Sequence, residues 1–213
     1  STLARRPEAY HFPLLEERQA SEEKSEGRVL SIHELQRRKE AGLEGLLAYD
    51  PYPRACLRDH FLEATATWEN LQQATFSPQG DFADRPYTGS LRQEDNGLRV
   101  VLFRDGWLGQ GKRRLPFRVE KELFLTTGGE ALTVGYRLTN RSQDEADGLF
   151  ASEWNFNLLG GGANPLAYYR VPGRRLRDAH LDSRGEITGV DELALGNRGL
   201  GIELQLKLSR RLN

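Results

Sequence analysis

The sequence predicts an all-β fold, a large antiparallel β-sandwich with a short helical and irregular N-terminal extension. Apolar and polar residues alternate over several stretches of the second half of the chain, which is typical of strands that bury one face and expose the other. Turns rich in Gly and Asn separate these stretches, and no pattern of helical length lies between them. We therefore expect antiparallel sheets packed face to face.

Residues 1–50 are predicted to form an extension with one short helix that packs on the sandwich, and residues 51–213 to form the sandwich itself. Ser31 with Glu34 fits a capping box at a helix start. An imperfect helical stripe follows it, formed by Leu35, Leu43, Leu46 and Leu47. Residues 12–30 are highly charged and can bury little, so we expect a mobile loop there.

Five strands are predicted by alternation between residues 98 and 208, after a candidate first strand near residue 61. Residues 54–61 form a turn or the entry to the first strand. The first alternation runs through Leu98, Val100 and Leu102, and Asp105-Gly106 is predicted to be the turn after it. Phe117, Val119, Leu123 and Leu125 share the next face, on which Lys121 is the exception. Three more strands are predicted, over Leu132–Leu138, Phe150–Leu158 and Leu200–Leu208.

Composition argues against several classes of function. The 30 basic and 31 acidic residues give a net charge of −1, which provides no field for a nucleic-acid backbone, so no nucleic-acid partner is expected. No apolar run is long enough for a bilayer span, so no membrane partner is expected. The single cysteine, Cys56, favours a reducing compartment and a cytoplasmic location. The chain contains no methionine, and we expect it to be a piece of a longer polypeptide.

The sequence predicts neither a metal site nor a cofactor. His11, His33, His60 and His180 are widely separated, and none of them has a partner at ligand spacing. The run of glycines at 160–162 lacks the lysine–serine pair of a phosphate loop, and we interpret it as a flexible turn.

One polar row carries the candidate site. Glu153, Asn155 and Asn157 occur at period 2, with Trp154 and Phe156 pointing the opposite way. One carboxylate and two amides on a sheet can bind sugar hydroxyls, although such a row is also typical of a solvated or inter-domain face. Glycoside hydrolysis ordinarily requires two carboxylates, and the sequence offers no convincing second one. No catalytic residue is therefore assigned.

Other polar and aromatic residues give weaker signals. Asp59 and His60 are neighbours, but adjacent residues of a strand point to opposite faces. Trp107, Tyr168 and Tyr169 are predicted to lie in or beside loops and to be the aromatic residues best placed for exposure.

Several segments resemble the C-terminal region of family 57 glycoside hydrolases, in the 4-α-glucanotransferase and α-amylase branch. They are RPEAYH at residues 6–11, the stretch from Ile32 to Leu62, Gly80-Asp81-Phe82, Pro86-Tyr87, and EWNFN at residues 153–157. The stretch RACLRDHFL, within residues 54–62, is the most specific of them.

The resemblance implies a β-sandwich of galactose-mutarotase-like form attached to a catalytic barrel of the same polypeptide, which acts on α-1,4-glucans. The catalytic residues would lie in that barrel, ahead of Ser1, so none is carried over to this chain. It also implies that the sandwich continues beyond a segment such as Leu204–Ser209, and that its last strands are missing here.

Three functions remain open at this point. The first is a non-catalytic accessory domain that supports the barrel, with sugar contacts from Glu153, Asn155 and Asn157. The second is an independent carbohydrate-binding module, which requires exposed coplanar aromatic rings. The third is a mutarotase-like sugar epimerase, in which His60 or His180 would act with Glu153. Any enzymatic activity is expected to belong to the parent protein, and this chain alone is expected to be inactive.

Overall fold

The computed structural model describes residues 6–9, 48–158 and 164–209, and in them the protein is built almost entirely of antiparallel β-sheet. This confirms the predicted all-β class. The contacts divide the chain into two compact units, one of residues 3–154 and one of residues 155–213 with residues 1–2. The predicted helix near residue 31 and the predicted loop at 12–30 lie outside the described residues, and the boundary at residue 50 stays a prediction.

The larger unit contains a two-stranded ribbon and a four-stranded sheet. In the ribbon, β1 (Arg58–Leu62) pairs with β6 (Leu149–Glu153). The sheet has the strand order β2-β3-β4-β5. Its strands are β2 (Thr88–Glu94), β3 (Gly97–Gln110), β4 (Arg113–Thr126) and β5 (Leu132–Asn140). Among the described residues of this unit, a short helix, α1 (Trp68–Gln73), begins at a capping box that Thr67 forms with Asn70.

The ribbon packs on one face of this sheet. Phe61 of β1 contacts Phe117 of β4 edge to face, with ring centroids 5.2 Å apart, and contacts Phe150 of β6 at 5.4 Å. Phe82 and Leu108 complete the same cluster. Aromatic pairs in this geometry add about 0.5–1.5 kcal/mol each to the area they bury, so the cluster joins the two layers.

The smaller unit is a three-stranded sheet. Its strands are β7 (Ala167–Arg170), β8 (Glu192–Asn197) and β9 (Ile202–Lys207), in the order β7-β8-β9. Asn197 is the last residue of the central strand β8 and is 3% exposed. Its amide donates to the carbonyl of Leu158 and accepts from the backbone of Gly199, which fixes the turn into β9.

The predicted turn at Asp105-Gly106 is wrong. Strand β3 runs straight through both residues, and the hairpin turn lies at Gly111 and Lys112 instead. Gly106 serves close packing, because a Cβ added there would lie 2.8 Å from the ring of Phe82.

The predicted strand Phe150–Leu158 is too long, since β6 ends at Glu153. Its partner β1 begins at Arg58, which pairs with Glu153, and the preceding residue Leu57 has a φ of 62°. That left-handed conformation ends the extended partner strand, so β6 has nothing to pair with beyond Glu153. The last strand likewise begins at Ile202, because residues 198–201 form the turn.

Replacing Gly106 by alanine should destabilise the protein by about 1–3 kcal/mol, because the new methyl group overlaps the Phe82 ring. The matched control is Gly135→Ala in β5, where the nearest atom to the added Cβ is 4.0 Å away. Chemical denaturation of the two variants measures the difference. Equal stabilities would contradict this account of Gly106.

Candidate functional site

The register of the ribbon sorts its polar side chains onto two faces. Arg58 lies opposite Glu153, and Asp59 lies opposite Ser152. Because side chains alternate along a strand, His60 and Glu153 share the face turned away from the four-stranded sheet. Asp59 and Ser152 share the face turned toward it. The expectation that Asp59 and His60 point in opposite directions is confirmed.

Three side chains meet on the outward face. The Tyr52 hydroxyl donates to Oε2 of Glu153 at 3.0 Å, and Nε2 of His60 lies 2.9 Å from the same oxygen. Nδ1 of His60 is buried and has no hydrogen-bond partner among the described residues. The geometry therefore favours the tautomer with its proton on Nε2, which donates to Glu153.

Aromatic and charged neighbours hold this cluster in place. The guanidinium of Arg58 lies 4.8 Å from the centre of the Tyr52 ring, and the ring of Phe76 meets His60 edge to face at 5.6 Å. Burial, and then the nearby charge of Glu153, raise the pKa of Tyr52 well above its usual value. Tyr52 therefore stays a neutral hydrogen-bond donor.

A buried ion pair lies on the inward face. Nζ of Lys121, in β4, is 2.8 Å from Oδ2 of Asp59 and donates to the carbonyl of Leu57 at 2.8 Å. It also lies 4.2 Å from the centre of the Tyr87 ring, whose hydroxyl donates to Asp59. Asp59 and Lys121 are 1% and 5% exposed. This pair explains why a lysine interrupts the apolar face of β4.

Two more hydroxyls extend this network. Tyr136 of β5 and Ser152 of β6 are within hydrogen-bond distance, at 2.9 Å. Burial raises the pKa of Tyr136 and of Tyr87, and the charge of Asp59 raises both further. Polar contacts therefore connect both strands of the ribbon to the sheet.

The predicted site residues do not lie on a single strand. Glu153 is the last residue of β6, and its side chain is 21% exposed. Asn155 and Asn157 follow in irregular backbone and belong to the other compact unit. The period-2 pattern suggested one row, but the strand ends before it reaches the two amides. Sequence reasoning also did not assign Tyr52 or Lys121 to a site, although the interrupted β4 pattern marked Lys121.

The aromatic residues predicted to be exposed lie in strands. Trp107 is half-buried in β3, and the guanidinium of Arg114 covers its ring at 4.3 Å. Tyr168 and Tyr169 lie in β7, where Arg198 lies 4.9 Å from the Tyr168 ring centre. Tyr168 also donates to Glu203. These contacts occupy ring faces that a sugar would need for stacking.

A depression of about 180 Å³ beside α1 is lined by Glu63, Thr65, Ala66, Asn70, Thr75, Phe76 and Ser77, and none of the predicted site residues lines it. Within the described ranges, no group of three or more His, Cys, Asp or Glu side chains could hold a metal ion. No helix there is long and apolar enough to cross a membrane.

Comparison with known proteins gives a consistent result. The family model described as alpha-amylase/4-alpha-glucanotransferase, C-terminal, matches residues 1–213. The chain is 38% identical over 153 residues to a 4-alpha-glucanotransferase of Thermococcus kodakarensis, covering 72% of this chain and 21% of that protein. It is 30% identical over 208 residues to alpha-amylase 1 of Dictyoglomus thermophilum, covering 98% of this chain and 27% of that one. The chain therefore spans about a fifth to a quarter of the length of these relatives.

A solved structure shares the fold. The crystal structure of 4-alpha-glucanotransferase from Thermococcus litoralis matches with a TM-score of 0.59 and 22% identity, over 98% of this chain and 24% of that chain. At this identity, the match is a likeness of fold alone.

The buried tyrosines predict how stability depends on pH. Tyr52, Tyr87 and Tyr136 have pKa values raised above the usual 10.0 in the folded protein. Above about pH 10 the unfolded chain loses these protons while the folded chain keeps them, so their contribution to stability is present below pH 10 and lost as pH rises. Phenolate absorbance should therefore show these tyrosines ionising only when the protein unfolds. Tyr87→Phe should reduce the loss of stability between pH 10 and 11, and an unchanged loss would contradict the assignment.

Lys121→Met should destabilise the protein by about 3–5 kcal/mol, because it leaves the buried Asp59 carboxylate without a counter-charge. Adding Asp59→Asn to that variant should recover part of the loss, since the charge is then gone. Lys112→Met, in the exposed β3–β4 turn, is the control and should change little. Urea denaturation provides the comparison, and equal stability of the Lys121 and Lys112 variants would refute a central role for the pair.

Proposed function

Because the chain belongs to the C-terminal domain family of α-amylases and 4-α-glucanotransferases, we propose that its parent polypeptide transfers or hydrolyses α-1,4-glucan. Within that parent, this chain is an accessory domain and not the catalytic part. The proposed partner is the catalytic barrel of the same polypeptide, which the domain supports.

The surroundings of Glu153 carry this proposal. Glycosidases ordinarily place two carboxyl groups about 5–10 Å apart on either side of the bond that they break. Among the described residues, the imidazole of His60 and the phenol of Tyr52 lie within hydrogen-bond distance of the Glu153 carboxylate. Asp59 lies on the other face of the ribbon and is paired with Lys121. The cluster is arranged to hold one carboxylate in place.

The same geometry argues against the two alternatives. An epimerase needs its acid and its base on opposite sides of a bound sugar, whereas His60 and Glu153 contact each other directly at 2.9 Å. A carbohydrate-binding module needs open aromatic faces, whereas the rings of Trp107 and Tyr168 carry arginine side chains.

We further propose that Glu153, Asn155 and Asn157 contribute individual contacts to glucan hydroxyl groups. The support is chemical, because carboxylates and amides are the acceptors and donors that sugars require. His60 and Tyr52 fix the orientation of Glu153, and its side chain keeps 21% exposure. An ordered acceptor of this kind binds a hydroxyl at a lower entropic cost than a mobile one.

The remaining expectations belong to the same proposal. A cytoplasmic location is supported by the single cysteine. The balanced charge supports the expectation of no nucleic-acid partner. No cofactor is assigned, because the proposed sugar contacts use only side chains of the chain itself.

Titration of the chain with maltooligosaccharides by calorimetry, with sugar release assayed on the same sample, tests this proposal. We expect weak binding without turnover. Glu153→Ala, Asn155→Ala and Asn157→Ala should each lower the affinity by roughly threefold to tenfold, the effect of losing one hydrogen bond worth about 0.7–1.4 kcal/mol. Glu130→Ala, at an exposed turn, is the control.

The outcomes separate the parts of the proposal. Turnover by this chain alone would overturn the accessory role. An absence of binding would refute the sugar contacts and leave the supporting role standing. Glu153→Gln keeps an acceptor for Tyr52, so it distinguishes a lost sugar contact from a disturbed cluster.

A further inference from the structure

The four-stranded sheet is strongly different on its two faces. On the face of the sheet turned away from the ribbon, Arg99 pairs with Glu94 and Glu122, and Arg118 pairs with Asp105. Arginine side chains also lie over aromatic rings there, since Arg118 is 4.8 Å from the centre of the Phe103 ring. A face in which charges and rings are paired with one another is suited to water.

The inward face of the sheet is mostly apolar, apart from Lys121 and Arg104, and the ribbon covers only one end of it. Leu108, Phe117 and Val119 are buried beneath Phe61 and Phe150. The covered part ends near Lys121, whose amino group reaches the backbone of Leu57 ahead of β1. Beyond that row, no strand of the ribbon lies over the sheet.

The uncovered end of this face forms what we call the open patch. The register aligns Leu91, Val100, Leu123 and Val134 in one row across the four strands. The next row places Leu98, Leu125 and Leu132 side by side. Leu91, Leu125 and Leu132 are 65%, 45% and 48% exposed.

The open patch contains almost nothing that water could bind. Gln93 is the polar side chain in its second row, and its amide donates to the backbone carbonyls of Glu94 and Gly97. The patch spans about 14 Å across the four strands at the usual strand spacing of about 4.8 Å. Exposing leucine and valine side chains to water over such a width is unfavourable, and large apolar patches on proteins mark interaction sites.

We propose that the open patch is the surface on which an apolar part of the same parent polypeptide, outside residues 1–213, packs. This rests on the proposed function, in which the chain is one domain of a longer enzyme. Three observations favour this occupant. The relatives are four to five times longer than the segment they share with this chain. The patch continues the core already formed with the ribbon, and it offers no charge to a polar partner.

Cysteine labelling in a Cys56→Ser background tests this directly, because Cys56 is the sole cysteine of the chain. Leu132→Cys places a thiol in the open patch, and Thr133→Cys places one on the opposite face of the same strand. Both residues are exposed in this chain. Alkylation rates are measured for each variant in the 213-residue chain and in the full-length polypeptide.

We expect both thiols to react rapidly in the 213-residue chain. In the full-length polypeptide, the thiol at 132 should react at least about tenfold more slowly, since packing against another surface excludes the reagent. The thiol at 133 should keep its rate within about twofold. The pair Leu125→Cys and Thr126→Cys in β4 gives an independent repeat should either variant fail to fold.

Other results would overturn the proposal. The thiol at 132 could instead react slowly in the 213-residue chain. If that rate does not depend on protein concentration, residues of this chain cover the patch. If the rate falls as the concentration rises, a second copy of the chain covers it. Equal rates at 132 in both proteins, or equal slowing at 132 and 133, would also contradict it. Glucan turnover by the full-length polypeptide is assayed separately, so loss of the docking surface and loss of the proposed function are told apart.

Discussion

The buried pair of Asp59 and Lys121 is the interaction on which the arrangement of the larger unit depends. Each charge removed from water costs several kcal/mol, and a partner at hydrogen-bond distance offsets that cost only in a well-formed geometry. Lys121 has that geometry, with Asp59, the Leu57 carbonyl and the Tyr87 ring around its amino group. A one-residue slip of β1 would turn Asp59 outward and leave Lys121 without a counter-ion. The pair therefore specifies the register in which the ribbon lies on the sheet.

The outward cluster follows from that register. With Asp59 directed at the sheet, His60 must face away from it, on the same side as Glu153. Tyr52 then joins the stretch ahead of β1 to the end of β6, across 101 positions of sequence. Strand β1 thus directs a carboxylate toward the sheet and a buried imidazole to the opposite face of the ribbon. Each cluster ties a residue of β1 or β6 to a distant part of the chain.

The sheet divides its two faces between water and protein. Ion pairs and arginine–aromatic contacts satisfy the outward face without a ligand. Most side chains of the inward face are Leu, Val or Phe, but the ribbon covers only one end of it. This asymmetry supports the proposal that the open patch packs against another part of the parent polypeptide. The outward face has arginine side chains over the aromatic rings of Phe103 in β3 and Phe124 in β4.

The sequence by itself determined the all-β class and the central strands, because alternation of period 2 is a local property that a strand shows wherever it packs. The alternations at Leu98, Phe117 and Leu132 all mark real strands. Sequence also marked Lys121 as an exception, but only the tertiary structure supplied Asp59, 62 positions away in the chain, as its partner. Strands β2, β7 and β8 carried too weak a pattern to predict, and Gly106 resembled a turn because its close contact with Phe82 is not local. The same holds for the candidate site. The local strand pattern was enough to select Glu153. Its contacts with Tyr52 and His60, and the end of β6 before Asn155, depend on pairing between distant segments of the chain.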